Sequence, residues 1–261
     1  MKAKAVLTAS DRTIERVEEK YLITKHQKTV LMKMISERLE HDDYYKEQII
    51  SLYLDSDNYD LAVKTLDRPN FRLKVRVRSY DVPTPSKRVF FEVKTKLKTE
   101  KRKVGNKRRL VLPLKDFYAY INKGQDLEEL AKKASKCDAQ QCQVARELDY
   151  LVKVYDLKPK ILISSDRTAF KGKFNEDFRL TFDENLRFRT QKLRLEKKGS
   201  WEKYFPNTSD PKRSIIMEVK TMHAMPPWFV AELGKLHIYP VRFSKYGKIY
   251  QLIKERNNNV Q

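Results

Sequence analysis

The chain has 261 residues, with 56 Lys and Arg against 35 Asp and Glu, a formal charge of +21, and 40% hydrophobic residues. A surplus that large repels itself and marks a polyanionic partner (nucleic acid, an anionic membrane or a phosphate compound) rather than a neutral substrate. Fourteen Tyr, twelve Phe and two Trp supply core material, so a mean hydropathy of −0.71 is not read as disorder, and no apolar run reaches the roughly 18–20 residues of a membrane span.

In chain order, residues 1–14 are expected to be a flexible end, with Met1–Ser10 too short and too weakly apolar for a signal peptide. Period-two alternation predicts a first strand over Val17–Ile23. Thr24 then caps a helix over Lys25–Glu40, with Leu31, Met34, Ile35 and Leu39 at helical spacing. Strands follow over Ile49–Leu54, Arg72–Arg78, Val89–Lys96 and Lys107–Leu112. A helix over Leu114–Asn122 stops at Gly124, and a helical pair covers Asp126–Lys136 and Gln140–Leu148. The remaining strands are Lys160–Ser165, Phe178–Asp183, Leu186–Leu195 and Ile215–Lys220, and Pro226-Pro227 opens a last helix through Leu236. Asn257–Gln261 reads as a frayed tail, within a flexible end over 255–261. Helices interrupt the strands without alternating regularly, which predicts an α+β fold with a mostly antiparallel sheet in a single domain over 1–261.

Cys137 and Cys142 stand five apart with no partners for a zinc site, and read as reduced thiols in a cytoplasmic protein. The six glycines are at least ten residues apart, so no glycine loop can cradle phosphate with backbone amides. Any phosphate must be held by side chains. His26, His41, His223 and His237 share no motif and read as structural.

On the strand over Arg72–Arg78, four cations face one way and Leu73, Val75 and Val77 the other. Cations opposite each other on neighbouring strands repel, so repetition of such faces argues for convergence on an anion. A sheet closed into a barrel, with charges inward and apolar faces under helices, would meet the pattern. Three strands carry Glu-x-Lys, at Glu18-Glu19-Lys20, Glu92-Val93-Lys94 and Glu218-Val219-Lys220. Each pair has a bland reading as charge balance and a functional one, in which a hard divalent metal bridges carboxylate and phosphate oxygens while Lys and Arg grip the rest. Lys acts as a point charge and Arg as a planar fork.

Eight motifs in order then resemble one family: Arg16-Val-Glu18-Glu-Lys20-Tyr21, Val75-Arg76-Val-Arg78-Ser-Tyr80, Phe91-Glu92-Val-Lys94-Thr95, Lys107-Arg-Arg109-Leu110, Asp166-Arg167-Thr-Ala-Phe170, Phe178-Arg179-Leu-Thr-Phe-Asp183, Met217-Glu218-Val-Lys220-Thr221 and Phe243-Ser244-Lys245-Tyr246. From about Glu15 to Ile253 the chain resembles the VTC-type polyphosphate polymerase domain of the triphosphate tunnel metalloenzyme superfamily. The resemblance implies an antiparallel eight-stranded β-barrel tunnel with helices packed outside, and ATP-dependent polyphosphate synthesis with Mn²⁺ or Mg²⁺. It places phosphate-gripping cations at Lys20, Arg76, Arg78, Lys94, Lys107, Arg167, Arg179 and Lys245, a metal-holding carboxylate at Glu218, and a basic residue of the product path at Arg242. Arg16 stands where related triphosphatases and cyclases carry Glu, which favours the polymerase branch, and Ser165 stands where the family often has Tyr. The expected partners are ATP and polyphosphate, with no nucleic acid and no membrane segment. Membrane-associated partner proteins are left open. The competing readings are a metal-dependent hydrolase of triphosphate or short polyphosphate, and a non-enzymatic module binding polyphosphate or nucleic acid.

Overall fold

In the computed structural model, which describes residues 16–100, 103–135, 139–175, 177–197, 199–204, 212–222 and 224–259, β1 (Arg16–Ile23) gives way at Thr24 to α1 (Lys25–Ile35). Thr24 Oγ1 accepts from Gln27 N at 3.0 Å while Gln27 Oε1 accepts from Thr24 N at 3.0 Å, a reciprocal cap that fixes where the helix begins. The predicted helix stops earlier than expected. A 3₁₀ turn over Ser36–Arg38 follows it, and β2 (Leu39–Asp55) starts where the sequence had suggested helix up to Glu40. The expectations for residues 1–14, Cys137, His223 and residues 260–261 lie outside the described residues.

The other elements are α2 (Asp60–Asp67), β3 (Phe71–Tyr80), β4 (Arg88–Lys98), β5 (Lys103–Pro113), α3 (Leu114–Lys123), α4 (Leu127–Ser135), α5 (Ala139–Val154), β6 (Lys158–Gly172), β7 (Arg179–Arg189), β8 (Glu202–Lys203), β9 (Ile215–Met222), α6 (Pro227–Lys235) and α7 (Lys245–Asn258). The hydrogen-bonded strand order is β1-β9-β7-β6-β2-β3-β4-β5, with β8 beside β7, and the pairs β1–β9, β9–β7, β7–β8, β2–β3, β3–β4 and β4–β5 are antiparallel. The fold is α+β around a large antiparallel sheet, as the alternation predicts. Among the described residues the order begins at β1 and ends at β5, an open series and not a hydrogen-bonded ring.

The chain divides into two compact units. The first comprises Met1–Lys46, Arg167–Glu184 and Asn207–Arg242. Its core gathers Ile23, Leu31, Ile35, Phe178, Phe182, Met217, Val219 and Phe229 from β1, α1, β7, β9, α6 and the approach to β7. Gly172, in the β6 part of this unit, is held close: a Cβ there would stand 2.4 Å from Asn175 O and 3.2 Å from Phe178 Cβ. Gly172→Ala is therefore expected to lower the unfolding free energy by about 1–3 kcal/mol through overpacking, read as a reduced urea midpoint.

The second unit comprises Glu47–Asp166, Asn185–Pro206 and Phe243–Gln261. Here Leu73, Val75, Val77, Phe91, Val93, Leu110 and Leu112 form the apolar face of β3, β4 and β5, covered by Phe117, Tyr120, Leu130, Ala145 and Leu148 of α3, α4 and α5. Alternation alone left open which face is covered. In this unit helices take the apolar side, and the charged side is the other face of the same strands.

Three expectations are corrected. Phe178–Asp183 and Leu186–Leu195 do not form two strands, since β7 runs on through Asn185, a residue that tolerates its left-handed φ of 50°. Asn257 and Asn258 belong to α7 rather than to a frayed tail. Cys142, on α5, is disulfide-bonded and not a reduced thiol. Among the described residues no helix is long and apolar enough to cross a membrane.

Candidate functional site

In the second unit, antiparallel register turns alternating cations into rows. Arg76 lies opposite Tyr53 of β2 and Glu92 of β4, and Glu92 lies opposite Arg109 of β5. Two residues along, Lys74, Lys94 and Lys107 stand directly opposite one another on β3, β4 and β5. Arg78, on the other side of Arg76, pairs with Ser51 and donates from Nε to its Oγ at 3.2 Å.

Glu92 is the brace of this face. It is 1% exposed, and it accepts from Arg76 Nε at 2.8 Å and from Arg109 Nε and Nη2 at 2.9 and 2.7 Å. Burial alone would raise its pKa, but Arg76 and Arg78, with the hydrogen bonds from Arg76 and Arg109, pull it down to about 2. Burial would lower the Arg76 guanidinium, and Tyr53 and Glu92 more than offset this. Tyr53 OH accepts from Arg76 Nη1 at 3.2 Å. Its phenol, which burial would raise, is held below its ordinary value by Arg76, Arg78 and Lys245. Lys107 is lowered by burial, and Arg109, Arg76 and Arg78 lower it further against the pull of Glu92. Lys245, at the start of α7, donates to Ser165 Oγ at 2.9 Å, and Lys74 donates to Ser244 Oγ at 2.8 Å. Thus Ser165, where the resemblance expects a ring, meets Lys245 through its hydroxyl.

The first unit builds a second ladder from β1, β9 and β7. Lys20, Glu218 and Thr181 share one row, and Glu18, Lys220 and Arg179 the next. Lys20 Nζ lies 3.4 Å from Glu218 Oε2 and 3.4 Å from Glu18 Oε1, and Lys220 is also ion-paired with Glu218. Burial would raise the Glu218 carboxyl, yet Lys20, Lys220 and Arg167 hold it far below the usual carboxylate range. Burial would likewise lower Lys20, but Glu218 and Glu18 keep it raised. Arg167 gives Nε and Nη2 to Asp183 Oδ1 and Oδ2 at 2.9 and 2.8 Å, a bidentate pair that fixes its guanidinium plane. Arg179 is exposed, with Nη1 3.8 Å from Asp42 Oδ2. Arg242 is exposed too, and follows Val241, whose backbone N donates to Lys20 O at 2.6 Å.

The expected residues thus fall into two sets: Arg76, Arg78, Lys94, Lys107 and Lys245 in the second unit, and Lys20, Arg167, Arg179 and Glu218 in the first. Sequence reading missed Tyr53, Arg109, Asp183 and Thr181. Arg109 was signalled by its i+2 spacing from Lys107, which puts both on one face. Nothing local marked Tyr53, whose role depends on a partner strand.

Among the described residues no three Asp, Glu, His or Cys side chains gather into a metal cluster. Two carboxylates, Glu18 and Glu218, nevertheless converge on one ammonium. In the Glu218 row, Thr181 Oγ1 is buried without a hydrogen-bond partner. A small divalent ion is commonly bound by one or two carboxylates, with water and substrate phosphate as its other ligands. The donor set fits Mn²⁺ or Mg²⁺ taken up together with phosphate, and does not fit a metal caged by protein alone.

A family model described as the VTC domain matches residues 15–254. Vacuolar transporter chaperone complex subunit 4 of Trypanosoma brucei brucei is 27% identical over 222 residues, and that of Trypanosoma cruzi 27% over 224. Each match covers 76% of this chain and 27% of the relative, so the chain spans about a quarter of the length of these curated relatives. Among solved structures, a Hippeastrum protein described as having a dominant triphosphatase activity is similar at a TM-score of 0.49 and 15% identity, covering 89% of this chain and 93% of that one. The PH1819 protein of Pyrococcus horikoshii is similar at 0.42 and 11%, covering 92% and 99%. The family match runs from before the first strand into the last helix, through all the charged rows described above: the chain belongs to the VTC domain family.

Proposed function

We propose that this chain is an ATP–polyphosphate phosphotransferase, moving the γ-phosphoryl of ATP onto the end of a growing polyphosphate with Mn²⁺ or Mg²⁺ as cofactor. The observation that carries this reading is the row Lys74, Lys94 and Lys107. Like charges directly opposite on adjacent strands destabilise a sheet. A repeating polyanion turns that cost into binding.

Transfer of a phosphoryl group needs neutralisation of spreading negative charge and alignment of attacking and leaving oxygens, with little covalent work by the protein. Arg76 and Arg109 arrive already oriented by Glu92, and Arg167 by Asp183. Such preorganised cations need no reorganisation as charge develops. The lysines add point charges along the phosphates. The attacking terminal phosphate oxygen is already ionised near neutral pH, so no histidine base is required. Glu218, with Glu18, would hold the divalent ion, which supplies further charge neutralisation at the phosphates when bound. The names of the relatives describe subunits of a complex, which supports protein partners for this chain as well.

Purified protein given ATP and Mn²⁺, with a short polyphosphate primer, is expected to release ADP and lengthen the primer. Orthophosphate release without polymer would overturn the polymerase reading in favour of a hydrolase. Nucleic-acid binding in moderate salt that excess polyphosphate does not displace would overturn the phosphate specificity altogether.

A further inference from the structure

Two buried tyrosines connect Lys245 to Arg76. Tyr246, next to Lys245 in the first turn of α7, is 1% exposed, and Tyr53 on β2 is 6% exposed. Their rings stack with centroids 4.4 Å apart and 7° between planes. At one end of the stack, Tyr53 OH accepts from Arg76 Nη1. At the other, Tyr246 OH donates to Asp55 Oδ2 at 2.5 Å.

Asp55 is fully buried, at 0% exposure. Its Oδ1 accepts from Ser56 N and Leu61 N at 2.9 Å each, and its Oδ2 accepts from Ala62 N at 2.9 Å. These bonds tie it to the start of α2, leaving the phenol of Tyr246 as the donor that links α7 to it. Burying a carboxyl against amides and a phenol, rather than against a cation, is costly. A phenylalanine at 246 would fill the same space and stack on Tyr53 without demanding a polar group beneath it. The hydroxyl therefore does something that packing does not require: it fixes the height and rotation of the first turn of α7, which carries Lys245.

We propose that Asp55 and Tyr246 are positioning residues, which lock the first turn of α7 and, through the ring stack, Tyr53, so that Lys245 and Arg76 are both held ready for phosphate. This rests on the reading of those two cations as phosphate-gripping. A lysine on a loosened helix end must lose that freedom on binding, and a preset one has already lost it.

The test is a double-mutant cycle on tripolyphosphate binding without metal, by titration calorimetry on the full chain. Lys245→Ala is expected to weaken binding. Tyr246→Phe, which removes one hydrogen bond, is expected to weaken it roughly three- to tenfold and to have a clearly smaller effect once Lys245 is already Ala, only the share carried by Arg76 remaining. Equal weakening by Tyr246→Phe with and without Lys245, or a lowered melting temperature with unchanged affinity, would show a merely structural hydroxyl and overturn the proposal. If Lys245→Ala binds like wild type, the assignment of Lys245 to phosphate fails, and the proposal with it, by a separate signature. Should Tyr246→Phe not fold, Tyr53→Phe keeps the ring and removes the acceptor for Arg76. Its cycle with Arg76→Ala must then be non-additive, and additivity overturns the proposal.

Discussion

Replacing Glu218 by Gln leaves a folded protein whose metal-dependent turnover of ATP falls by about 10²–10³-fold. Glutamine keeps the shape of the side chain on β9 and removes only its charge. Glu218 is the carboxylate on which Lys20 and Lys220 converge, and those cations hold its pKa far below the usual carboxylate range. Loss of the charge removes the strongest attraction for a divalent ion in this ladder. It also removes a repulsion toward phosphate. Tripolyphosphate without metal should therefore bind the variant as well as wild type or better, while Mn²⁺ no longer stimulates turnover. Activity titrations against Mn²⁺, paired with metal-free calorimetry, separate the two effects. A variant that still responds to Mn²⁺ like wild type would remove Glu218 from the metal site.

The second large effect is on stability. Glu92→Ala should lower the unfolding free energy by about 3–5 kcal/mol, because it leaves Arg76 and Arg109 facing each other without the buried carboxylate that separates them. The pH dependence has a definite sign. The carboxyl has a pKa of about 2 in the folded protein against an ordinary 4.5, so its stabilisation is complete above the higher value and disappears as pH falls through the lower one. Urea unfolding at neutral pH and near pH 3 should show the gap between wild type and variant narrowing in acid. A gap that is constant over that range would mean that the loss comes from packing and not from the ionised group.

Much of this architecture was legible because a strand has a period of two. Arg76 and Arg78 could be placed on one face, and Leu73, Val75 and Val77 on the other, from spacing alone. Thr24 likewise announced α1 through its cap. What spacing cannot give is register. That Lys74, Lys94 and Lys107 form one row, or that Glu92 sits between Arg76 and Arg109, depends on how strands align, which is a non-local property. The same limit hid Tyr53, whose partners lie on other elements. α2 and α7 escaped for a different reason. Asp60–Asp67 is short, and the segment from Lys245 is rich in charge, so neither shows a long apolar stripe; tertiary contacts, such as the bond from Tyr246 to Asp55, settle them instead. In the candidate site, the family resemblance named the cations but gave Asp183 and Thr181 no role, because short polar side chains on strands have many uses.

The lysine row on β3, β4 and β5 also makes ligand occupancy part of the folding equilibrium. An anion that binds the native row but not the unfolded chain stabilises the fold in proportion to the logarithm of its concentration over its dissociation constant. Under the proposed function, the protein is thus least robust when its phosphate supply runs out. If polymer and ATP are its ligands, as proposed, their depletion would expose the chain to unfolding and turnover before any regulator acted on it, coupling the lifetime of this protein to their abundance.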